Sequence, residues 1–221
     1  MRLEETPSER EPWQPEELRV LFGCPVFIER GRPAGGRGEA AFWLPLLGLY
    51  TGARLNELAP LRVSDVTSDK ATDVVAITIK ECPEQGRSLK NVASRRVVPV
   101  HPELLRIGFI EFVDHARKRD GADGRLFPLL TPGPKGGFGE AWSKWFGRYK
   151  RGLGITNAAS VFHSFRHSFK DALRAAGVGE DVNDALCGHA GQGGVARKYG
   201  AKDMVRRFTL PRLADVFPIC W

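Results

Sequence analysis

Apolar and polar positions recur along this chain with two different periods. From Glu39 the pattern is helical and dense, with Ala40, Ala41, Phe42, Trp43, Leu44, Leu46, Leu47 and Leu49 leaving almost no polar face. That predicts a helix buried on all sides. Thr51-Gly52 interrupts it, and Arg54-Leu55-Asn56-Glu57-Leu58 begins a second, short helical piece. Leu61 to Asp65 leads into Val74 to Ile79, a β-branched run that reads as a strand. After a turn-rich stretch around Pro83 to Gly86, Arg96 to Val100 reads as a second extended segment, its proline favouring a sheet edge.

Beyond His101-Pro102 the periodicity is helical to the end. Glu103 to Arg119 places Leu104, Leu105, Phe109, Phe112 and Val113 near helical spacing. Phe138 to Tyr149 carries Trp142, Trp145 and Phe146 at i, i+3 and i+4, a stripe read as core rather than as a base-stacking platform. Ser160 to Ala176 is a third long helix ended by Gly177; shorter pieces follow at Asp181 to Leu186 and from Val195, and Pro211 breaks the last. The expected fold class is mainly α with a small antiparallel β-sheet (α+β). Residues 1–38 read as a polar lead-in and linker, with a short helix from Pro15 to Phe22 and a mobile loop from Glu29 to Gly38. One domain is expected over 39–221, its C-terminal tail running from about 203.

Composition narrows the function classes. At 42% hydrophobic and 27% charged residues, the 221-residue chain is neither disordered nor fibrous. The longest nearly apolar run, Ala40 to Ala53, falls short of the roughly 18 residues of a membrane span and contains Pro45, Gly48 and Gly52. The acid-rich start resembles no secretory signal. Cys24, Cys82, Cys187 and Cys220 form no Cys-x-x-Cys pair, so free thiols in a reducing, cytoplasmic setting are expected. Residues 1–20 hold six Glu against three Arg; in a chain of net charge +7 this leaves +10 on residues 21–221. A basic body suits a polyanionic partner, most simply nucleic acid.

Polar residues with chemistry concentrate in the second half. His163 and Arg166 are i and i+3, projecting from one helix face while Phe162, Phe165, Phe169 and Leu173 supply the other. Gly188 can turn the chain and present His189 in a fixed direction. Among the three tyrosines, Tyr50 and Tyr149 end apolar stretches and read as structural, whereas Tyr199 is flanked by Arg197 and Lys198. A phenol needs such positive surroundings to act as an oxyanion nucleophile near neutral pH. In the first half, Arg54 has Glu57 at i+3 to hold its guanidinium, and Lys90 stands in a turn between two strands, with Lys80 as a rival.

Together these segments resemble a known family. Thr51-Gly52-Ala53-Arg54-Leu55-Asn56-Glu57-Leu58 is similar to the first-arginine box of the tyrosine recombinases, the phage-integrase-type site-specific recombinases. Lys90 to Pro99 resembles their β-turn lysine segment, with Ser94, Arg96 and Pro99 at matching spacing. His163-Ser164-Phe165-Arg166 resembles the His-x-x-Arg box, Leu186-Cys187-Gly188-His189 the Leu-Gly-His element, and Val195 to Tyr199 the nucleophile segment. The resemblance runs from about Trp13 to Tyr199 with the elements in order. Cys187 replaces the usual Leu, and the stretch from His189 to Tyr199 is about one residue longer than usual.

The resemblance implies a catalytic domain of recombinase type that cuts and rejoins double-stranded DNA through a 3′-phosphotyrosine, with no metal and no cofactor. Tyr199 would be the nucleophile, Arg54 and Arg166 a phosphate clamp, and His189 a further donor. Lys90 would be the general acid, His163 an aid to proton transfer, and Glu57 an orienting partner for Arg54. Arg96, Arg197 and Lys198 would contact DNA more weakly, and DNA would gather a dimer to tetramer. The family's amino-terminal core-binding domain has no counterpart in the 38 residues ahead of the body, which suggests a catalytic fragment or a minimal member. The alternatives are a DNA-binding module without catalysis, a topoisomerase IB-like or telomere-resolving strand transferase, and a metal-dependent hydrolase built on His163, His167 and His189.

Overall fold

The computed structural model describes residues 10–87, 89, 94–134 and 136–189. Its centre is the helix that the sequence marks as apolar all round, Glu39–Thr51 (α3), in which residues 40–49 are all buried. Burial on every side leaves no amphipathic stripe to read. The neighbouring elements pack around this helix. Ahead of it lie α1 (Pro15–Phe22) and α2 (Pro25–Ile28); after it come α4 (Leu55–Leu58) and a three-stranded sheet. The remaining helices are α5 (Pro102–Ile107), α6 (Phe109–Asp120), α7 (Glu140–Gly152), α8 (Ser164–Ala175) and α9 (Glu180–Cys187). Among the described residues, no helix is long and apolar enough to cross a membrane.

The sheet is antiparallel in the order β1-β2-β3, with β1 at Val66–Asp69, β2 at Val74–Ile79 and β3 at Arg96–Pro99. Val66 faces Ile77, and Ile79 faces Arg96. Pro99 occupies an edge strand, where a missing N–H costs no ladder bond. Sequence periodicity misses β1, whose alternation covers only four residues. The expected helix from Glu103 to Arg119 is two helices, because Gly108 takes a φ of +102° between them, a left-handed conformation that ends α5.

The lead-in holds more structure than its polarity suggests. Trp13 is buried and stacks on Phe165 at 4.9 Å. Its backbone N–H donates to Ser168 Oγ (2.9 Å) and its indole N–H to Val161 O (3.2 Å). Glu17 accepts a hydrogen bond from Ser160 Oγ (2.7 Å). Within the Gly-rich stretch from Glu29 to Gly38, Ala34–Gly36 forms a 3₁₀ turn, and Gly36 O accepts from Trp142 Nε1 (3.1 Å). Trp142 stacks on Phe146 at 5.1 Å, both buried, so the aromatic stripe of α7 is core.

The contact that positions the site is between α3 and α8. Gly48 lies under Phe162 and Phe165, where a Cβ would stand 2.9 Å from Phe162 Cζ. This close approach brings the start of α8 beside the end of α3.

Candidate functional site

The turn after α3 starts the site. Gly52 closes the helix with a φ of +61°. Thr51 Oγ1 donates to Leu47 O and accepts from the Ala53 N–H (3.2 Å). Arg54 thereby stands ahead of α4, and its backbone N–H donates to Glu57 Oε2 (2.9 Å). That carboxylate supplies a partner that a four-residue helix cannot find within itself. Arg54 Nη1 donates to Glu57 Oε1 (2.7 Å) and to Ser94 Oγ (3.3 Å).

Glu57 has a second cation. Its Oε2 accepts from Arg96 Nη2 at 2.9 Å, with both side chains 4% exposed or less. Arg96 further donates from Nε to Leu186 O (2.6 Å) and from Nη1 to Ser94 O (2.8 Å). Burial acts to raise the pKa of Glu57; Arg96 and then Arg54 outweigh it and hold the carboxyl below its ordinary value. Arg96 was expected among the DNA-contacting cations. Its guanidinium instead points inward and ties β3, α4 and the end of α9 together, because a buried fork of donors needs several acceptors.

Arg166 enters from the first turns of α8 and is 2% exposed. Its Nη1 donates to Gly52 O (2.8 Å). Its Nη2 is buried without a hydrogen-bond partner among the described residues. Burial lowers its pKa to about 10, with repulsion from Arg54 and Arg96 acting in the same direction; it is charged at neutral pH. Among the described residues, Glu57 pairs with Arg54 and Arg96 while Arg166 lies beside them, so this cluster of three guanidiniums and one carboxylate is net positive.

Two histidines flank this group. His163 caps α8 beside a cavity of about 610 Å³ whose lining includes Arg10, Arg54, Glu57, Leu89 and Ser143. Burial, then the charges of Arg10, His167, Arg166 and Arg54, bring its pKa down to about 4. His189 follows α9 through Gly188, whose φ is +64°, and its backbone N–H donates to Asp184 O (2.9 Å). Burial, then Arg166 and Lys170, bring its pKa down to about 4 as well. Both imidazoles are therefore neutral at pH 7. Among the described residues, no group of three or more His, Cys, Asp or Glu is placed to hold a metal ion.

The structure thus brings together Arg54, Glu57, His163, Arg166 and His189, which stand at separated positions in the sequence. Lys90, Tyr199, Arg197 and Lys198 lie outside the described residues. Lys80, the rival lysine, is paired with the buried Asp65 at 3.3 Å. Tyr149 donates to Cys24 Sγ (3.3 Å), and burial followed by that contact raises its pKa; Tyr50 packs on the ring of His101 at 4.6 Å. Arg10 and Lys170 were not singled out from the sequence, and Ser94 only for its spacing from Lys90. Of the first two, only Lys170 carried a local signal, being i+4 from Arg166 on one helix face.

No protein-family model matches the chain, and no curated protein matches it by sequence. Solved structures do match in fold. The integrase from mycobacterium phage Brujita aligns at a TM-score of 0.54 and 18% identity, over 98% of this chain and 59% of that one. The Tn1549 transposon integrase in complex with circular intermediate DNA aligns at 0.56 and 20%, over 93% and 66%. XerA recombinase aligns at 0.55 and 16%, over 94% and 65%. The chain therefore spans between 59% and 66% of these three proteins. Its half-helical body with a small three-stranded antiparallel sheet matches these integrases and recombinases in fold.

Proposed function

We propose that this chain cuts and rejoins double-stranded DNA through a covalent 3′-phosphotyrosine at Tyr199. The observation that carries the reading is the buried Nη2 of Arg166, which has no hydrogen-bond partner among the described residues and lies beside Arg54 in a net-positive cluster. A buried donor without an acceptor is costly, and a phosphodiester oxygen removes that cost. The solved neighbours support the reading, since they include an integrase held in complex with DNA.

In this mechanism Arg54 and Arg166 hold the non-bridging oxygens, and His189 donates to the charge that develops in the transition state. Tyr199 Oη attacks phosphorus as the bond to O5′ breaks. Lys90 delivers the proton that O5′ needs, and His163 helps to take the one that Tyr199 loses. Burial does most to hold down the pKa of His163 and nearby cations add to it; a bound anion offsets the cationic part, which favours proton uptake as substrate arrives. The phosphoester energy stays in the tyrosyl bond, so the scheme calls for no metal and no nucleotide. Arg197 and Lys198 add charge around the nucleophile, and DNA gathers the chain into a dimer or tetramer.

The test uses suicide duplexes: a pool of nicked DNA of randomised sequence, labelled at the 5′ end of the cut strand and resolved on a denaturing gel. The expected result is a labelled covalent adduct that vanishes in Tyr199→Phe and falls by about 10²-fold or more in Arg166→Ala. An adduct that persists in Tyr199→Phe removes the nucleophile. Duplexes retained by the protein but never joined to it point to a DNA-binding module instead.

A further inference from the structure

The proposed reaction uses His189 as a donor, and its surroundings contain a group that the reaction scheme leaves without a role. Lys170 Nζ lies 3.4 Å from His189 Nδ1 and 3.3 Å from Asp184 Oδ1. Asp184 Oδ1 is itself 3.6 Å from the same Nδ1. Lys170 sits one turn beyond Arg166 on α8 and is 13% exposed at its side chain. Its place is secured from the other side as well, since Asn183 Nδ2 donates to Lys170 O (3.1 Å).

We propose that Lys170 is a positioning residue that sets the tautomer of His189, making Nδ1 the acceptor and leaving the proton on Nε2. The assignment rests on donor chemistry. An ammonium has hydrogens to give and no lone pair to receive with, so the ring nitrogen facing it must be the bare one. The neutral ring then carries its N–H on the opposite nitrogen, and an Nε2–H is what a phosphate oxygen requires. Asp184 pulls the other way, because a carboxylate facing Nδ1 favours a hydrogen there. At 3.6 Å it is beyond hydrogen-bond range, while its Oδ1 pairs with Lys170. Lys170 therefore does two things: it occupies Nδ1, and it engages the group that would reverse the ring.

The charges facing His189 agree with a neutral donor. Arg166 and Lys170 from α8 and Arg54 from the turn before α4 oppose its protonation, and Asp184 favours it. Glu180, at the start of the same helix, also feels the ring. Burial, which acts most strongly, and these cations together outweigh Asp184, so His189 donates as a neutral imidazole and gains nothing from acid.

This inference rests on the recombinase reading for what His189 donates to, but not for which nitrogen bears the proton. The experiment therefore has two arms on the 221-residue chain. In the first, ¹⁵N resonances of the His189 ring are followed with pH in the wild type, Lys170→Met, Lys170→Arg and Lys170→Met/Asp184→Asn. The expected wild-type pattern is the Nε2–H tautomer from pH 6 to 9. Lys170→Met moves the proton to Nδ1 and raises the titration of the ring, Lys170→Arg keeps the wild-type pattern, and the double variant regains it. An unchanged ring in a folded Lys170→Met protein overturns the proposal.

In the second arm, covalent adduct on suicide DNA is measured over the same pH range. Lys170→Met is expected to lose about 10- to 100-fold at pH 8 and to recover towards acid, where an imidazolium again carries a hydrogen on Nε2. The wild type lacks this histidine-like limb. Equal rates in wild type and Lys170→Met despite a moved proton would overturn the positioning role. Absence of any wild-type adduct, with the expected resonances, removes the recombinase reading and leaves the Lys170–His189 assignment standing.

Discussion

Arg166 Nη1 donates to the carbonyl of Gly52 across 114 residues of chain, at 2.8 Å. The bond joins the helix carrying Arg166 to the turn from which Arg54 emerges, so the two guanidiniums are set by one local geometry. It also explains why a left-handed glycine stands there: at φ +61° the backbone turns its carbonyl towards α8, and a side chain would collide with Phe169.

Gly52→Ala tests that geometry. A Cβ at this position would stand 2.5 Å from Phe169 Cδ1, on a backbone that L-residues disfavour. We expect a loss of about 2–4 kcal/mol in urea unfolding, the sum of a left-handed cost and overpacking. Adduct formation should fall with it. Wild-type stability in Gly52→Ala would show that the turn is more yielding than its packing indicates.

Glu57 is the shared counterion, and its two replacements should differ. Glu57→Ala leaves Arg96 buried without its carboxylate and is expected to cost about 3–5 kcal/mol. Glu57→Gln keeps an acceptor for one guanidinium and should cost less. The folded pKa of Glu57 lies below its ordinary 4.5, so its contribution is present above that value and lost as pH falls through the folded one. Unfolding curves below pH 4.5 should be steeper in the wild type than in Glu57→Gln; parallel curves would count against the pairing.

Arg166 should show the opposite balance between stability and activity. Its charge is buried and repelled by two neighbours, and its Nη2 has no partner among the described residues. Removing it as Arg166→Gln relieves that cost while losing one hydrogen bond to Gly52, worth about 1 kcal/mol. We expect the variant to be at least as stable as the wild type, within about 1 kcal/mol, and inactive in adduct formation. A loss above roughly 2 kcal/mol in thermal unfolding would mean that Arg166 is a structural cation.

Histidine titration gives a separate pH window. His163 and His189 ionise near 4 in the folded chain against an ordinary 6.5. Between these values the unfolded chain binds protons that the folded chain refuses, so stability should fall as pH drops from 6.5 to 4. His163→Gln removes one of these protons and should flatten the slope of unfolding free energy against pH in that interval. An unchanged slope would place His163 in water rather than in the pocket.

Much of the fold is legible in the sequence. The buried α3 helix, β2, β3 at an edge and the short α4 all follow from local pattern, because each announces itself within a few residues. Breaks were harder: Gly108 splits a continuous apolar period, and the four residues of β1 are too few to show alternation. The lead-in was hardest. Trp13 reaches Ser168 over 155 residues, and no local composition records a contact of that span.

For the site, the sequence alone determined the set: Arg54 with Glu57 at i+3, His163 with Arg166, a glycine before His189, and the order in which they follow. Tertiary structure decided their states. It turned Arg96 inward onto Glu57, left one nitrogen of Arg166 without a partner among the described residues, and stood Lys170 against His189. The physical reason is that residue type and spacing fix which groups can meet along one helix or turn. Burial, counterions and the remaining hydrogen-bond acceptors arise only where α3, α4, β3, α8 and α9 come together, and these settle the charge and aim of each side chain.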